Sequence, residues 1–183
     1  VTPLVRLPAN GRDQATFLAK QALDTGVMGL MFPSINTAAE AELAVRSMRY
    51  PQRRGVPDRE PLGLRGSGPG IPDWYWDVRN YQELADVWPL DPRGELVSII
   101  QIESEEGLQN VEAIAAVPGV SALFIGPADL ALSLGVSPEA PELEAAIQKI
   151  LATARARKLG IGITASAETA ARRLGEGFTL VTV

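Results

Sequence analysis

The sequence predicts an α/β fold in which six parallel strands form part of a (βα)₈ barrel. Short runs of aliphatic and β-branched residues alternate with longer amphipathic stretches, which is typical of βαβ units. The short runs are mainly apolar, as expected for a parallel sheet that is buried on both faces. No GxGxxG or P-loop motif follows the first run, so the nucleotide-binding fingerprints of open sheets are missing. Polar residues at the ends of two strands favour an incomplete barrel.

The elements follow in order along the chain. The predicted strands are Leu4–Leu7, Gly29–Phe32, Leu96–Ile102, Ser121–Ile125, Gly160–Thr164 and Phe178–Val183. The predicted helices are Asp13–Thr25, Thr37–Met48, Ser104–Val117, Pro141–Leu159 and Ala167–Leu174. Asn36-Thr37 and Ser104 stand where helix N-caps are expected. Four glycines follow helical patterns and are expected to end them in left-handed conformations: Gly26, Gly119, Gly160 and Gly175.

The segment Tyr50–Pro92 breaks this alternation and is rich in Pro, Gly and Arg. A connection this long is uncommon in a compact domain unless it has a role in function or assembly. Two interpretations are open: a surface excursion docked by its aromatic residues, or a lid over a substrate. Tyr75–Val87 within this segment is expected to form a short helix. We therefore interpret residues 1–183 as a single incomplete barrel domain with an excursion at about 50–92.

Composition excludes several classes of protein. A net charge of −5 argues against a nucleic-acid or anionic-membrane partner, and the lack of cysteine excludes disulfides and zinc–thiolate sites. No apolar run approaches the roughly 18 residues of a membrane span, so a cytoplasmic location is the default expectation. The chain has no histidine, the commonest general base, and begins without Met. We expect it to be an excerpt of a longer protein.

The first candidate site residue, Glu103, follows the strand Leu96–Ile102. With period-two geometry, Gln101 and Glu103 share one face of that strand at its carboxyl end, where α/β barrels place functional groups. The alternative is that Glu103 only begins a solvated turn.

The second candidate, Asp129, follows the next strand at a distance of about one helix–strand repeat. The two carboxylates would stand above neighbouring strands, which lie about 4.8 Å apart. Such a pair repels unless a proton or cation lies between, and Mg²⁺ or Mn²⁺ prefers oxygen ligands. The alternative for Asp129 is an N-cap of a helix that starts at Leu130.

Two further features fit an anionic substrate. In Gly126-Pro127-Ala128-Asp129, small residues let a ligand approach the backbone, and the amides of Ala128 and Asp129 would suit a carboxylate. Arg6 interrupts the first strand, where a buried guanidinium needs an anionic or carbonyl partner. It could stabilise charge on a substrate oxygen, or form a structural ion pair. For Arg49 and Arg65, within the long segment, a solvated role is expected.

Together these motifs resemble the HpcH/HpaI aldolase family, within the citrate-lyase-like group of metal-dependent barrels. The stretches that carry the resemblance are Val5–Pro8, Gly29–Pro33, Asn36–Ala41, Arg49–Pro51, Gln101–Glu103, and Phe124–Leu130 with Ser133–Gly135. The resemblance covers nearly the whole chain and is most specific in Gln-Ile-Glu followed by Ile-Gly-Pro-Ala-Asp-Leu. It implies a (βα)₈ TIM barrel of the phosphoenolpyruvate/pyruvate-binding type, with about six βα units present.

By this resemblance the protein is a class II aldolase that acts on 4-hydroxy-2-oxo acids through a pyruvate enolate. Glu103 and Asp129 would hold Mg²⁺ or Mn²⁺, with Co²⁺ as a further option, close to Gln101. The metal would bind the carboxylate and 2-oxo oxygens of pyruvate and stabilise the enolate. Arg6 would face the 2-oxo oxygen as the catalytic residue, and the Ala128 and Asp129 amides would bind the carboxylate. Pro33 and Ser34 would line the substrate pocket.

The resemblance also implies partners and missing parts. The substrates would be pyruvate or another 2-oxo acid and an aldehyde, and the protein would be a homo-oligomer, a trimer or hexamer. The family's base is a histidine paired with an acidic residue on early strands, and both are expected outside this chain. The first two βα units and the last helix are also expected to be absent. Two alternatives stay open: a lyase acting on CoA thioesters, and an inactive fragment that keeps a metal and 2-oxo-acid site.

Overall fold

The computed structural model describes residues 2–8, 16–52, 60–68 and 70–183. Within them, seven strands form one sheet in which every pairing is parallel. The strands are β1 (Leu4–Arg6), β2 (Gly29–Phe32), β3 (Val87–Trp88), β4 (Leu96–Ile102), β5 (Ala122–Ile125), β6 (Gly160–Thr164) and β7 (Leu180–Thr182). Their order is β1-β2-β4-β5-β6-β7, and β3 pairs only with β4. The parallel sheet confirms the predicted α/β class.

The helices lie between the strands, as the alternating pattern predicted. They are α1 (Thr16–Leu23), α2 (Ala38–Met48), α3 (Ile71–Trp76), α4 (Tyr81–Leu84), α5 (Glu105–Gln109), α6 (Val111–Ala115), α7 (Pro127–Leu134), α8 (Pro141–Ala156) and α9 (Ala167–Gly175). Thr37 and Ser104 cap α2 and α5 through their hydroxyls, as predicted. The single helix expected over Ser104–Val117 is divided at Asn110. No described helix has the length and apolarity that a membrane span requires.

The two faces of the sheet have different surroundings. Leu30, Ile100 and Ile125 are fully buried in the core against the helices, together with other residues of the same strand face. The register aligns Arg6 with Met31 and Met31 with Ile99 on neighbouring strands, so these residues share the inner face of the incomplete barrel. The site residues lie where this inner face meets the carboxyl ends of the strands.

Two of the four predicted glycine caps are wrong. Gly26 and Gly119 do adopt left-handed conformations, with φ of 90° and 92°. Gly160 instead begins β6, and Lys158 takes the left-handed position, with φ of 58°. Gly175 is the last residue of α9, and the left-handed turn comes at Gly177, with φ of 91°. In both cases the left-handed residue lies two positions from the predicted glycine.

The prediction that Arg49 is solvated is wrong. Its side chain is fully buried, and its guanidinium donates to both carboxylate oxygens of Asp86 at 2.6 and 3.0 Å. It also donates to the carbonyl of Pro61. This forked ion pair ties the excursion to the end of α2, because Arg49 is the residue that ends that helix.

The prediction that Arg65 is solvated is also wrong. Its exposed fraction is 2%, and its Nη2 donates to Asp24 Oδ1 at 3.1 Å and to Tyr81 Oη at 3.0 Å. The guanidinium lies 4.6 Å from the ring centre of Tyr50 and 5.2 Å from that of Tyr81. Burial raises the pKa of both tyrosines above the usual value. Arginine and tyrosine thus dock the excursion, which favours the surface interpretation over a lid.

The short helix expected over Tyr75–Val87 is confirmed only in part. Helices occur instead at Ile71–Trp76 and Tyr81–Leu84, separated by Asp77, which adopts a left-handed φ of 54°. Trp74 and Trp88 are exposed at 77% and 45%. Aromatic docking is carried by Tyr81, which is buried, and by Trp76, which packs edge-on against Tyr81 and whose Nε1 donates to the carbonyl of Gly26 at 2.8 Å.

Candidate functional site

Glu103 lies immediately after β4, and its side chain is buried, with 6% exposed. The backbone N–H and the hydroxyl of Ser34 both donate to Oε1 of Glu103, each at 2.8 Å. Its other oxygen, Oε2, is buried and accepts no hydrogen bond. The alternative of a solvated turn is therefore wrong. A buried carboxylate oxygen without a donor is costly and marks a place where a cation or donor fits.

Ser34 belongs to the loop between β2 and α2, which contacts Glu103 from the side. Its φ of 56° is left-handed, which is uncommon for a residue other than glycine. Ser34 and Pro33 were predicted to line a substrate pocket. Pro33 is buried, and the polar groups of Ser34 are taken up by Glu103. The sequence offered no signal for this contact, because the two residues lie 69 positions apart.

The same loop is tied to the start of α5 through Asn36, which is 1% exposed. Its side chain donates to Glu106 Oε2 at 3.1 Å and accepts from the hydroxyl of Ser104. Its carbonyl accepts from Asn110 at 2.9 Å. Asn36 was predicted only as part of a helix cap, and its role in joining two strand-end loops was missed.

Gly126 follows β5 and lies against Glu103. A Cβ at this position would stand 2.8 Å from Glu103 Oε2 and 2.9 Å from Gln101 Nε2. Only glycine leaves room for these two side chains. The close approach to the Gly126 backbone that was predicted for a ligand is therefore made by Glu103 and Gln101. Gln101 is buried at 7%, and its Oε1 accepts from Arg6 Nε at 3.4 Å.

Asp129 lies in the first turn of α7, which begins at Pro127 with Gly126 as its N-cap. The alternative that Asp129 caps a helix starting at Leu130 is therefore wrong. The side chains of Ala128 and Asp129 are exposed. Their amides belong to the first turn, where N–H groups have no partner within the helix and favour an anion. The predicted carboxylate-binding amides are thus in a suitable place.

Arg6 differs from its prediction in burial. It is exposed, because β1 is an edge strand and the inner face beside it is open. Its hydrogen bond to Gln101 nevertheless places Arg6 on the inner face of the sheet. The Gln101 side chain in turn lies against Gly126. Arg6 forms no ion pair with another described residue, so the structural ion pair offered as an alternative is not found there.

A cavity of about 830 Å³ opens beside Gln101, Gly126 and Asp129, and its lining does not include Arg6, Pro33, Ser34 or Glu103. Its near wall contains Gln101, Gly126, Pro127, Ala128 and Asp129, and its far wall comes from α8, the end of β6 and α9. None of the described excursion residues lines it, which again speaks against a lid. The cavity is large enough for a small-molecule substrate.

The far wall is held by a charged network that sequence reasoning did not identify. The guanidinium of Arg173 donates to the two oxygens of Glu144 at 2.8 and 2.7 Å, and to Glu176 at 2.9 Å. These hydrogen bonds lower the pKa of Glu144 to about 2 and raise that of Arg173. The network fixes α9 against α8 and leaves the neighbouring Arg172 half exposed at the cavity.

No group of three or more His, Cys, Asp or Glu side chains suitable for a metal occurs in the described part of the chain. The residues nevertheless fit a hard divalent cation in one respect. Glu103 presents a buried carboxylate oxygen without a hydrogen-bond donor, and Asp129 supplies a second carboxylate from the cavity wall. A cation held here would complete its shell with water and substrate oxygens.

Comparison with known proteins decides the family. The sequence model of the HpcH/HpaI aldolase/citrate lyase family matches residues 1–183. The chain belongs to this family. It is 38% identical over 188 residues to a hydroxypyruvate/pyruvate aldolase of Pseudomonas aeruginosa, covering 99% of this chain and 63% of that protein. It is 37% identical to a 5-keto-4-deoxy-D-glucarate aldolase of Escherichia coli K12, covering 99% of this chain and 64% of that protein.

The fold of this HpcH/HpaI family chain is likewise that of known relatives. It superposes on a HpcH/HpaI aldolase/citrate lyase family protein of Burkholderia cenocepacia with a TM-score of 0.82 and 38% identity. The superposition covers 100% of this chain and 66% of that one. The predicted partial TIM barrel is therefore confirmed. The chain spans less than two thirds of the length of these relatives.

Proposed function

We propose that the protein carrying this chain is an aldolase that makes or breaks a carbon–carbon bond of a 4-hydroxy-2-oxo acid through a pyruvate enolate. The observation that carries the proposal is the buried, unpartnered Oε2 of Glu103, set against Gly126 and Gln101 beside an open cavity. The names of the relatives, hydroxypyruvate/pyruvate aldolase and 5-keto-4-deoxy-D-glucarate aldolase, support the same chemistry.

Glu103 and Asp129 would hold Mg²⁺ or Mn²⁺. The bound ion would supply Lewis-acid stabilisation of negative charge on the 2-oxo oxygen. The N–H and hydroxyl of Ser34 both donate to Oε1 of Glu103, so Oε2 would be left to bind the cation. Gly126 keeps the space in front of that oxygen free of a side chain.

Binding of the substrate would use the other half of the site. The N–H groups of Ala128 and Asp129 would donate to the carboxylate of the 2-oxo acid, aided by the positive end of the α7 dipole. Arg6, oriented by its hydrogen bond to Gln101, would donate to the 2-oxo oxygen and stabilise charge that develops there. No base is assigned, because the chain contains no histidine.

The test is exchange of the pyruvate methyl protons with deuterated water, measured by NMR on the whole protein with Mg²⁺ or Mn²⁺. Glu103→Gln and Asp129→Asn should each abolish metal-dependent exchange. Glu105→Gln is the matched control, because Glu105 is an exposed carboxylate two residues on, at the start of α5. Exchange that continues unchanged in Glu103→Gln would refute the proposed role of Glu103. The predicted homo-oligomer and cytoplasmic location stay predictions, and sedimentation of the whole protein tests the first.

A further inference from the structure

Ser34 is unusual in making two hydrogen bonds to one oxygen of the proposed cation ligand. Its amide and its hydroxyl both donate to Oε1 of Glu103 at 2.8 Å. A serine must hold a left-handed backbone to do this, and its φ is 56°. Backbone in this region persists only where the surrounding structure enforces it, and such positions cluster at functional sites.

Contacts of the same loop with residues other than Glu103 enforce it. Asn36, two residues on, is buried and bonded through its side chain to Glu106 and Ser104. Its backbone N–H donates at 2.6 Å to Oε2 of Glu40, the same oxygen that accepts from the Thr37 N–H in the capping box of α2. These contacts fix the loop without any help from the Glu103 carboxylate, so the position of Ser34 is set before a cation arrives.

The consequence is an asymmetric carboxylate. With two donors on Oε1, rotation of the Glu103 side chain would break both hydrogen bonds, and Oε2 is therefore kept where it accepts no hydrogen bond. We infer that Ser34 is a positioning residue, which through its hydroxyl holds Glu103 ready to bind a divalent cation through Oε2 alone. This inference rests on the proposed function and reassigns Ser34 from the substrate to the cation ligand.

The hydroxyl can be removed in two ways that affect the backbone differently. Ser34→Ala loses the hydroxyl and keeps a side chain that disfavours positive φ. Ser34→Gly loses the hydroxyl and relieves that backbone preference, since glycine adopts positive φ readily. A residue that only stabilises the loop would show loss of cation binding in proportion to loss of thermal stability. A positioning residue would show loss of binding in Ser34→Gly without such a loss of stability.

The experiment measures the affinity of the whole protein for Mn²⁺ by the EPR signal of the free ion, together with the thermal midpoint by circular dichroism. Removing a residue that orients a metal ligand typically weakens binding about 10- to 100-fold. We expect a loss of about 10-fold in both Ser34→Ala and Ser34→Gly, with the midpoint of Ser34→Gly no lower than that of the parent. Ser47→Ala, which removes another buried serine hydroxyl, should bind Mn²⁺ within about twofold of the parent.

Two results would overturn the inference. The first leaves the proposed cation site in place, and the second removes it as well. If Ser34→Gly binds Mn²⁺ within about twofold of the parent while Glu103→Gln does not bind, the role of Ser34 is wrong and the proposed cation site stands. If Glu103→Gln binds Mn²⁺ as tightly as the parent, the proposed cation site fails, and the role of Ser34 fails with it. Should Ser34→Ala not fold, Ser34→Gly alone decides between these results.

Discussion

Gly126→Ala is the substitution that tests the packing of the site most directly. The new Cβ would lie 2.8 Å from Glu103 Oε2 and 2.9 Å from Gln101 Nε2, whereas ordinary contacts begin at 3.4 Å. Both neighbours are buried, so neither can move away freely. Because the φ of Gly126 is −99°, alanine meets no left-handed strain, and the cost comes from these contacts. Overpacking of this kind typically costs about 1–3 kcal/mol.

We expect Gly126→Ala to lower the thermal midpoint by roughly 4–8 °C, since about 2 kcal/mol corresponds to that shift in a domain of this size. Binding of Mn²⁺ should weaken by at least about 10-fold, because the methyl group would lie against the oxygen proposed to bind the ion. Circular dichroism and EPR of the free ion measure the two effects.

Gly175→Ala is the matched control. A Cβ at Gly175 meets nothing within 4 Å, and the residue lies at the end of α9. Alanine there should leave Mn²⁺ binding unchanged and raise stability by up to about 1 kcal/mol. If Gly126→Ala binds Mn²⁺ as tightly as the parent, the reasoning that places Oε2 of Glu103 in the cation site is wrong.

Three further predictions concern the ion pair of Glu144 with Arg173 and the contacts of Arg65 with Asp24 and Tyr81. Since the folded-state pKa of Glu144 is lowered to about 2 from 4.5, its bond to Arg173 stabilises the fold above about pH 4.5 and is lost as the pH falls toward 2. Glu144→Gln should therefore reduce the free energy of unfolding at pH 7 by about 1 kcal/mol, a small value because solvent screens the ion pair at this 39% exposed side chain. At pH 2 the thermal midpoint of Glu144→Gln should no longer differ from that of the parent. Arg65→Met should cost about 2 kcal/mol in urea denaturation, because Asp24 loses a buried donor while it keeps its ion pair with Lys20. Tyr81→Phe should cost about 1–2 kcal/mol, as Arg65 would lose one of its acceptors, and an unchanged urea midpoint would contradict that role.

Strands and most helices could be predicted from the sequence because their signal is local. Leu96–Ile102 and Gly160–Thr164 are strands with the predicted bounds, since each is a mainly aliphatic run between turn residues. α7 was not among the predicted helices and entered only through the alternative in which Asp129 caps a helix from Leu130, although Pro127 is a typical first residue of a helix. The break at Asn110 had no clear local signal, because the apolar pattern continues through it.

Burial of the arginines could not be predicted in this way. Arg49 and Arg65 lie in a segment rich in Pro and Gly, where a charged side chain is normally solvated. Their carboxylate partners, Asp86 and Asp24, lie 37 and 41 positions away along the chain. Only the folded chain brings them together, so no pattern within a short window could indicate that these arginines are buried.

The candidate site has one half that the fold holds rigidly and one half that it leaves exposed. Glu103 and Gly126 are buried and tightly packed, whereas Arg6 and Asp129 are exposed on the inner face and the cavity wall. A change in the buried half must therefore alter stability as well as binding. A change in the exposed half should alter binding alone, apart from about 0.5 kcal/mol for the loss of the Asp129 charge at the start of α7. The Asp129→Asn variant should thus melt within about 2 °C of the parent while it loses Mn²⁺ affinity. A much larger drop in its thermal midpoint would show that Asp129 has a structural role, and its assignment as a cation ligand would lose its support.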